Sequence, residues 1–480
     1  MSKTGAIMLV LLGAALGAMP AMAQDDSGFD ISRGGGEEKA TTATKLDKVL
    51  GWETSDGDFK LKLENRVQFR LTGNNEVGDG ENGTNGRDFW NFRIRRVKTT
   101  FSGHIFKKEF QYKVTMAWQA SANELVETAT FTWAAHELIN IMVGQDKLPW
   151  NWQEYVSSGK QMFVDRSVAN EFFNQDFAKG ITLSGAFKSE DAIWIRYYVG
   201  VYNGVLKGNG DFRNADVLTT ADGFKSNSVS NSGGVDSDLM FNLRLETHPL
   251  GEVAHDMVDG RGEDKFDKPL FAIGLGLNWF ASDLANADLR PTSVAGATAS
   301  GRARASQDTL AFTIDGHFRW HGLSVDLEYY WRHTELHYQG AEVGKNGAAL
   351  GFRQRPTNMD ERGFTAEVGY FILPKEFQVG LRFSMVDGED FYFGGQPSAG
   401  LLPDATEMGL VVGYFLYGHN LKIQTDITYT NYQLVDFRTG APREPVARLN
   451  LQDRSASSRA NDVSDNLGIW QWRVQIQWIF

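Results

Sequence analysis

Arginine and lysine recur at every second position in several stretches of this 480-residue chain, and that spacing is where its chemistry would lie. Lys60, Lys62, Arg66 and Arg70 share one parity, and Arg93, Arg95, Lys113, Arg196 and Arg244 repeat the pattern further on. Arg319, Arg332, Arg382, Lys422 and Arg473 continue it. A row of such groups on one face suits an anion, because it replaces the hydration shell lost in a narrow passage. Arginine adds a planar fork that makes paired hydrogen bonds to an oxyanion. Acids occupy the same parity at Glu64, Glu246, Asp315, Asp326, Glu328, Glu367, Glu407 and Asp426. Bases lead, though not overwhelmingly. Two readings stand side by side: a selective basic ladder, and a mixed, salt-bridged wall.

Other chemistry is missing. The chain has no GxxxxGK[ST], no GxSxG and no HExxH, so no enzyme is expected. His333, Glu335 and His337 share a face, but without the helical spacing of a metalloprotease, and neither metal nor cofactor is expected. Gly274 and Gly276 stand in a strand with no helix after it, which excludes a dinucleotide loop. A net charge of −12 argues against a nucleic-acid partner.

The elements that must position the charges are strands. Between 59 and 71, Leu61, Leu63, Val67, Phe69 and Leu71 lie on one face and the charged residues on the other, with Asn65 the exception. Successive side chains of a strand point to opposite faces, and no helical period collects these residues. Ile193, Ile195, Tyr197, Val199 and Val201 oppose Arg196, and Leu239 to Leu245 oppose Asn242, Arg244 and Glu246. Trp470, Trp472, Val474, Ile476, Trp478 and Phe480 oppose Gln471, Arg473, Gln475 and Gln477. Outward Leu, Phe and Trp suit lipid, whereas a soluble sandwich or propeller would turn polar residues outward.

About sixteen such segments are expected. Short turns follow even-numbered strands, as at Phe106, Lys188–Asp191 and His321-Gly322, and longer loops mostly follow odd-numbered ones. The exception is 249–268, a longer connection on the short-turn side. The expected fold is therefore all-β: a transmembrane antiparallel β-barrel with short periplasmic turns and long outer loops, occupying 58–480. Ahead of it, Lys3, the apolar run from Ala6 to Leu16 and Ala21-Met22-Ala23 read as a signal peptide, 1–23, cleaved after Ala23. Residues 24–57 look unlike a strand and are read as periplasmic. Cysteine is absent, so disulfides play no part in stability.

The stretch from Phe92 to Gly103, with Ile94-Arg95-Arg96, resembles the early strand of the phosphate-selective porin O/P family. Gly144-Gln145-Asp146-Lys147-Leu148-Pro149 and Arg166-Ser167-Val168-Ala169-Asn170-Glu171-Phe172 are similar to that family's strand motif and third loop. Gly418-His419-Asn420 and the ending Val474-Gln475-Ile476-Gln477 are similar to its last strands. The resemblance implies a sixteen-stranded, trimeric outer-membrane porin whose third loop folds inward and narrows a water-filled channel. It also implies small anions such as phosphate as permeants, contact with outer-membrane lipid and lipopolysaccharide, and handling by the barrel-assembly machinery. The alternatives are a weakly selective porin and, more remotely, a barrel that serves surface binding or adhesion.

On this reading Arg66, Arg70, Arg93, Arg95, Arg96, Lys113, Arg196 and Arg244 line the pore, and Lys147, Lys160 and Arg166 are third-loop candidates for the constriction. Lys179 joins that loop set. Asp146, Glu154, Asp165 and Glu171 sit among them and would hold the loop's own fold. Phe92 and Ile94 point outward, yet Val97, Thr99 and Phe101 continue on the opposite parity; a β-bulge at Arg95-Arg96 would reconcile them and aim both guanidinium groups inward. Arg302, Arg304, Arg353 and Arg355 in the outer loops either gather anions or meet lipopolysaccharide phosphates.

Overall fold

The structure is a computed structural model, and it describes residues 50–78, 88–119, 125–174, 177–189, 192–203, 239–261, 267–284, 304–339, 358–387, 404–433 and 466–480, with a few two-residue strands between them. The segment read as a signal peptide (1–23), residues 24–49 and Arg302, Arg353 and Arg355 lie outside the described residues, as does the side chain of Arg304.

Sixteen strands form the wall. They are β1 (Lys60–Gly78), β2 (Asp88–Ile105), β3 (Lys107–Ala117), β4 (Val126–His136), β5 (Ile139–Lys147), β6 (Phe177–Lys188), β7 (Ile193–Asn203) and β8 (Leu239–His248). The second half comprises β9 (Leu270–Leu284), β10 (Arg304–Trp320), β11 (Leu323–Gln339), β12 (Asn358–Leu373), β13 (Phe377–Asp387), β14 (Asp404–His419), β15 (Leu421–Gln433) and β16 (Asn466–Ile479). Each pairs antiparallel with its neighbours, and β16 pairs with both β15 and β1, so the sheet closes on itself. Closure satisfies every ladder group from within, which a hydrocarbon environment demands. Phe480 completes the seam by exchanging backbone hydrogen bonds with Asn65. Asn65, the polar exception on the apolar face, accepts a hydrogen bond from the Thr99 hydroxyl.

Parity predicts the two faces well. Trp90, Phe92, Ile94, Leu275, Leu381, Trp470 and Trp472 are exposed on the outside, while Arg70, Arg244, Asp315, Glu367, Arg382 and Asp426 are buried on the inside. The turn between β10 and β11 shows how the short end is made. His321 and Gly322 have φ of 49° and 81°, the doubly positive pattern whose twist matches the flanking strands.

The wall departs from the sequence reading in three places. β1 continues to Gly78, because ladder hydrogen bonds persist after the apolar alternation stops. Leu50–Glu53, within the segment read as unlike a strand, forms a short strand antiparallel to the start of β1. Ile193 is not outward: the register slips between Ile193 and Ile195, so Trp194 takes the outer position and Ile193 is buried.

Two connections fold into the barrel. The third loop (L3, residues 148–176) carries two short helices, α1 (Trp152–Tyr155) and α2 (Val168–Phe173), the second capped by the Ser167 hydroxyl, which accepts from Asn170 N. From the opposite end, the β8–β9 connection brings Val253, Met257 and Val258 inward. They join Trp152, Val156, Met162 and Phe163 of L3 and Phe371, Val411 and Phe415 of the wall in one apolar cluster. Leu148, Trp150, Phe172 and Phe173 make a second cluster with Tyr202, Tyr330 and Val386.

Candidate functional site

Inward glycines make room for L3. A Cβ on Gly276 would lie 2.1 Å from Trp150 O, and Cβ atoms on Gly369 and Gly380 would strike Met162. Small residues therefore stand where the loop's bulk presses on the wall.

Charged wall residues then hold the L3 backbone. Glu328 accepts from Trp152 N (2.7 Å) and Gln153 N (3.1 Å), Asp426 from Val164 N (3.0 Å) and Glu407 from Val168 N (2.8 Å). Arg244 donates to Trp150 O, Arg382 to Asp165 O and Lys422 to Gln161 O. The same groups pair with one another. Arg244 is forked onto Asp315 (2.8 and 2.9 Å) and also meets Glu246, while Arg382 meets Glu367 and Glu407 and Arg473 meets Asp426. Arg319 pairs with Asp326, and Arg332 with Glu361. Along β8–β16 the mixed, salt-bridged wall is what the chain builds, and it serves as a mount for L3.

The wall at β1–β2 is different. The ladder slips between Gln68↔Arg96 and Phe69↔Ile94, leaving Arg95 as the extra residue of a bulge. Without the bulge Arg96 would face lipid, at a cost of about 2–4 kcal/mol near the midplane. With it, Arg96 donates to Gln68 Oε1 (2.9 Å), and Arg95 and Arg96 both approach Asp165 of L3, at 3.8 and 3.9 Å. Arg70 grips the same carboxylate with two donors, at 2.5 and 3.0 Å, and Arg473 lies at 3.6 Å. Four guanidinium groups thus converge on one acid. Burial alone would raise the Asp165 pKa, but Arg70 and Arg95 outweigh it and hold the carboxyl well below its usual range. Arg93 stands opposite Arg70 in the ladder, and Arg66 donates to the Ser157 hydroxyl of L3 while meeting Glu64 at 3.4 Å.

The remaining candidates divide. Lys113 points inward from β3, its side chain 45% exposed, and meets Asp146 at 3.0 Å. Lys147 and Arg166 clasp Glu154 at 3.1 and 3.0 Å, so they hold the fold of L3. Burial works to raise the Glu154 pKa; Arg166 and Lys147 more than reverse it, bringing it to about 2. Lys160 is exposed on L3, and its carbonyl accepts from Met257 N of the β8–β9 connection. Arg196 pairs with Glu246 and with Glu252 of that connection. Lys179 is not a loop residue: it lies in β6 on the parity of outward Ile181. His333 meets Asp360 at 2.9 Å, and the described residues contain no group suited to a metal ion. The side chain of His337 lies outside the described residues.

A closed antiparallel barrel with an apolar exterior, a charged interior and a loop mounted on its inner wall is the architecture of an outer-membrane porin. Residues 65–228 match the family described as phosphate-selective porin O and P. The resemblance read from Ile94-Arg95-Arg96 and from the L3 motifs therefore stands over β1 to the connection after β7. No curated protein matches the chain. Among solved structures it is similar to the outer membrane channel DcaP of Acinetobacter baumannii, at 8% identity, covering 89% of this chain and 99% of that one, with TM-score 0.49. It is also similar to the anion-selective porin from Comamonas acidovorans, at 8% identity, 88% and 99% coverage and TM-score 0.45. In-vitro folded OmpT of Vibrio cholerae matches at 11% identity, 88% and 98% coverage and TM-score 0.44.

Proposed function

We propose that the chain forms a diffusion channel that favours anions, inorganic phosphate among them. One observation carries this reading: Arg70, Arg95 and Arg96 of the β1–β2 wall converge with Arg473 on one L3 carboxylate, Asp165, and Arg66 and Arg93 stand on the same two strands, whereas Arg244 and Arg382 further along the wall are each matched by two acids. An anion passing between that wall and L3 gains charge-assisted hydrogen bonds in place of water, and a cation meets repulsion. Measuring the reversal potential in a planar bilayer under a KCl gradient, then adding phosphate, tests it. Anion selectivity with phosphate inhibiting the chloride current is expected; cation selectivity without inhibition would overturn the preference and leave a weakly selective porin. That second reading draws support from the pairing along β8–β16.

The family resemblance extends the proposal to a homotrimer seated in outer-membrane lipid and lipopolysaccharide, inserted by the barrel-assembly machinery after cleavage behind Ala23. Crosslinking of the purified protein and sequencing of its mature N-terminus test these points.

A further inference from the structure

Asp165 occupies the place that an incoming oxyanion would take. Arg70, whose side chain is 1% exposed, binds both its oxygens, and Arg473, Arg95 and Arg96 stand within 3.6–3.9 Å. Arg473 is already satisfied by Asp426, at 2.7 and 2.8 Å. Arg70, Arg95 and Arg96 share the Asp165 charge, with Glu171 acting on Arg95 from further off. At 3.8 and 3.9 Å, Arg95 and Arg96 are too far from Asp165 for a hydrogen bond, and the buried Arg95 Nε has no partner. A buried donor without a partner is the mark of a site with binding capacity left over. The Asp165 side chain is 24% exposed, so solvent anions can reach the cluster beside it.

We propose that Asp165 is a tethered counter-ion that sets channel specificity: by filling the arginine cradle from within, it weakens the hold on a passing oxyanion and keeps phosphate moving. A buried Arg70 stripped of this carboxylate would be an uncompensated charge, and such a group takes an anion from solution. With the carboxylate in place, a phosphate that approaches Arg95 and Arg96 meets a like charge beside them. The inference deepens the anion-favouring reading and rests on it for its meaning in the cell. The backbone at this point does not depend on the carboxylate, because Arg382 donates to Asp165 O (2.7 Å) and Asp426 accepts from Val164 N (3.0 Å).

The test measures how much inorganic phosphate halves the KCl current of the full-length channel in planar bilayers, for native protein, Asp165→Ala and Asp165→Asn. Restoring one charge-assisted contact to phosphate is expected to lower the half-blocking concentration in Asp165→Ala by about tenfold. Asp165→Asn moves the same way by less, since its amide still fills the space. Formate, a carboxylate small enough for the vacancy, should compete with phosphate in Asp165→Ala and raise the half-blocking concentration again. Unchanged or weaker block in both variants overturns the proposal. So does a wider size limit for polyethylene glycol without a gain in block, which would make Asp165 a latch for L3. If the native channel passes cations and ignores phosphate, the anion-favouring reading fails; a block acquired by Asp165→Ala would still uphold the role of Asp165.

Discussion

Arg244 and Arg95 are both inward arginines of the same barrel, yet their surroundings differ. Arg244 is fully buried, forked onto Asp315, bound to Glu246 and donating to the L3 backbone at Trp150 O. Arg95 sits in a bulge, 15% exposed, 3.8 Å from an acid it shares with three other arginines. On the β8–β16 side, charge is spent on mounting a loop. On the β1–β2 side, Arg95 and Arg96 stop short of hydrogen-bond distance from the L3 acid they face. Inward parity alone therefore does not make a residue part of the ion path; what matters is whether L3 and the neighbouring strands have already neutralised it.

The same kind of substitution should break the two walls differently. Arg244→Gln takes the shared guanidinium from the buried Asp315 and Glu246, leaving Asp315 with His317 and Glu246 with Arg196 and two histidines, and breaking such a buried pair costs about 3–5 kcal/mol. The expected outcome is a barrel that unfolds at lower temperature on a heat-modifiability gel and assembles poorly. Native stability together with altered selectivity would sink the claim that this wall is structural. Arg95→Gln combined with Arg96→Gln should leave assembly intact. Losing about one charge-assisted contact to the permeating anion lowers the anion-to-cation permeability ratio by roughly tenfold. A normal reversal potential in the double variant would remove β1–β2 from the permeation path.

The sequence foretells the wall more completely than its contents. Strict parity, as in Trp470 to Phe480, is dictated by lipid outside and water or protein inside, so strand order, closure and the bulge at Arg95 could be read directly. The destination of the inward charges could not. That Glu328 would accept from Trp152 N, 176 residues away in the chain, depends on where L3 lies, and no local period encodes it. Inward glycines did carry a signal: Gly274 and Gly276 stand out as small against their strand, and Gly369, Gly380 and Gly409 repeat the pattern where Met162 and Phe163 press in. The long 249–268 connection likewise broke the short-turn rule, and the structure gives the reason in its packing against L3.

That connection supplies the next test. His419 meets Asp256 at 3.0 Å, Arg319 donates to Asp256 O and His255 lies over Trp152 at 4.7 Å, so the strap ties L3 to the wall from the short-turn end. Replacing residues 250–260 with a two-residue Asn-Gly turn should raise single-channel conductance and its fluctuations. The β1–β2 arginines remain, so the sign of the reversal potential should stay the same. A selectivity reversal would show that the strap helps place the arginine wall, and the division between the two sides would then be less sharp.

Acid should produce the smallest effect, and it distinguishes the loop's internal clasp from its mount. Glu154 falls from an ordinary value of 4.5 to about 2 when folded, burial being outweighed by Arg166 and Lys147. A depressed carboxyl contributes stability that is fully present above its unfolded pKa and is lost as the pH falls through the folded one. The clasp is therefore complete from neutrality down to about 4.5 and fails only as the pH approaches about 2. Conductance should stay flat over the first range and change below it. Glu154→Gln, whose amide does not titrate, should flatten the acid limb while leaving Lys147 and Arg166 without their acid and L3 looser at every pH. A conductance step in the native channel at a pH where the Glu154 clasp is still complete would show that another group governs L3.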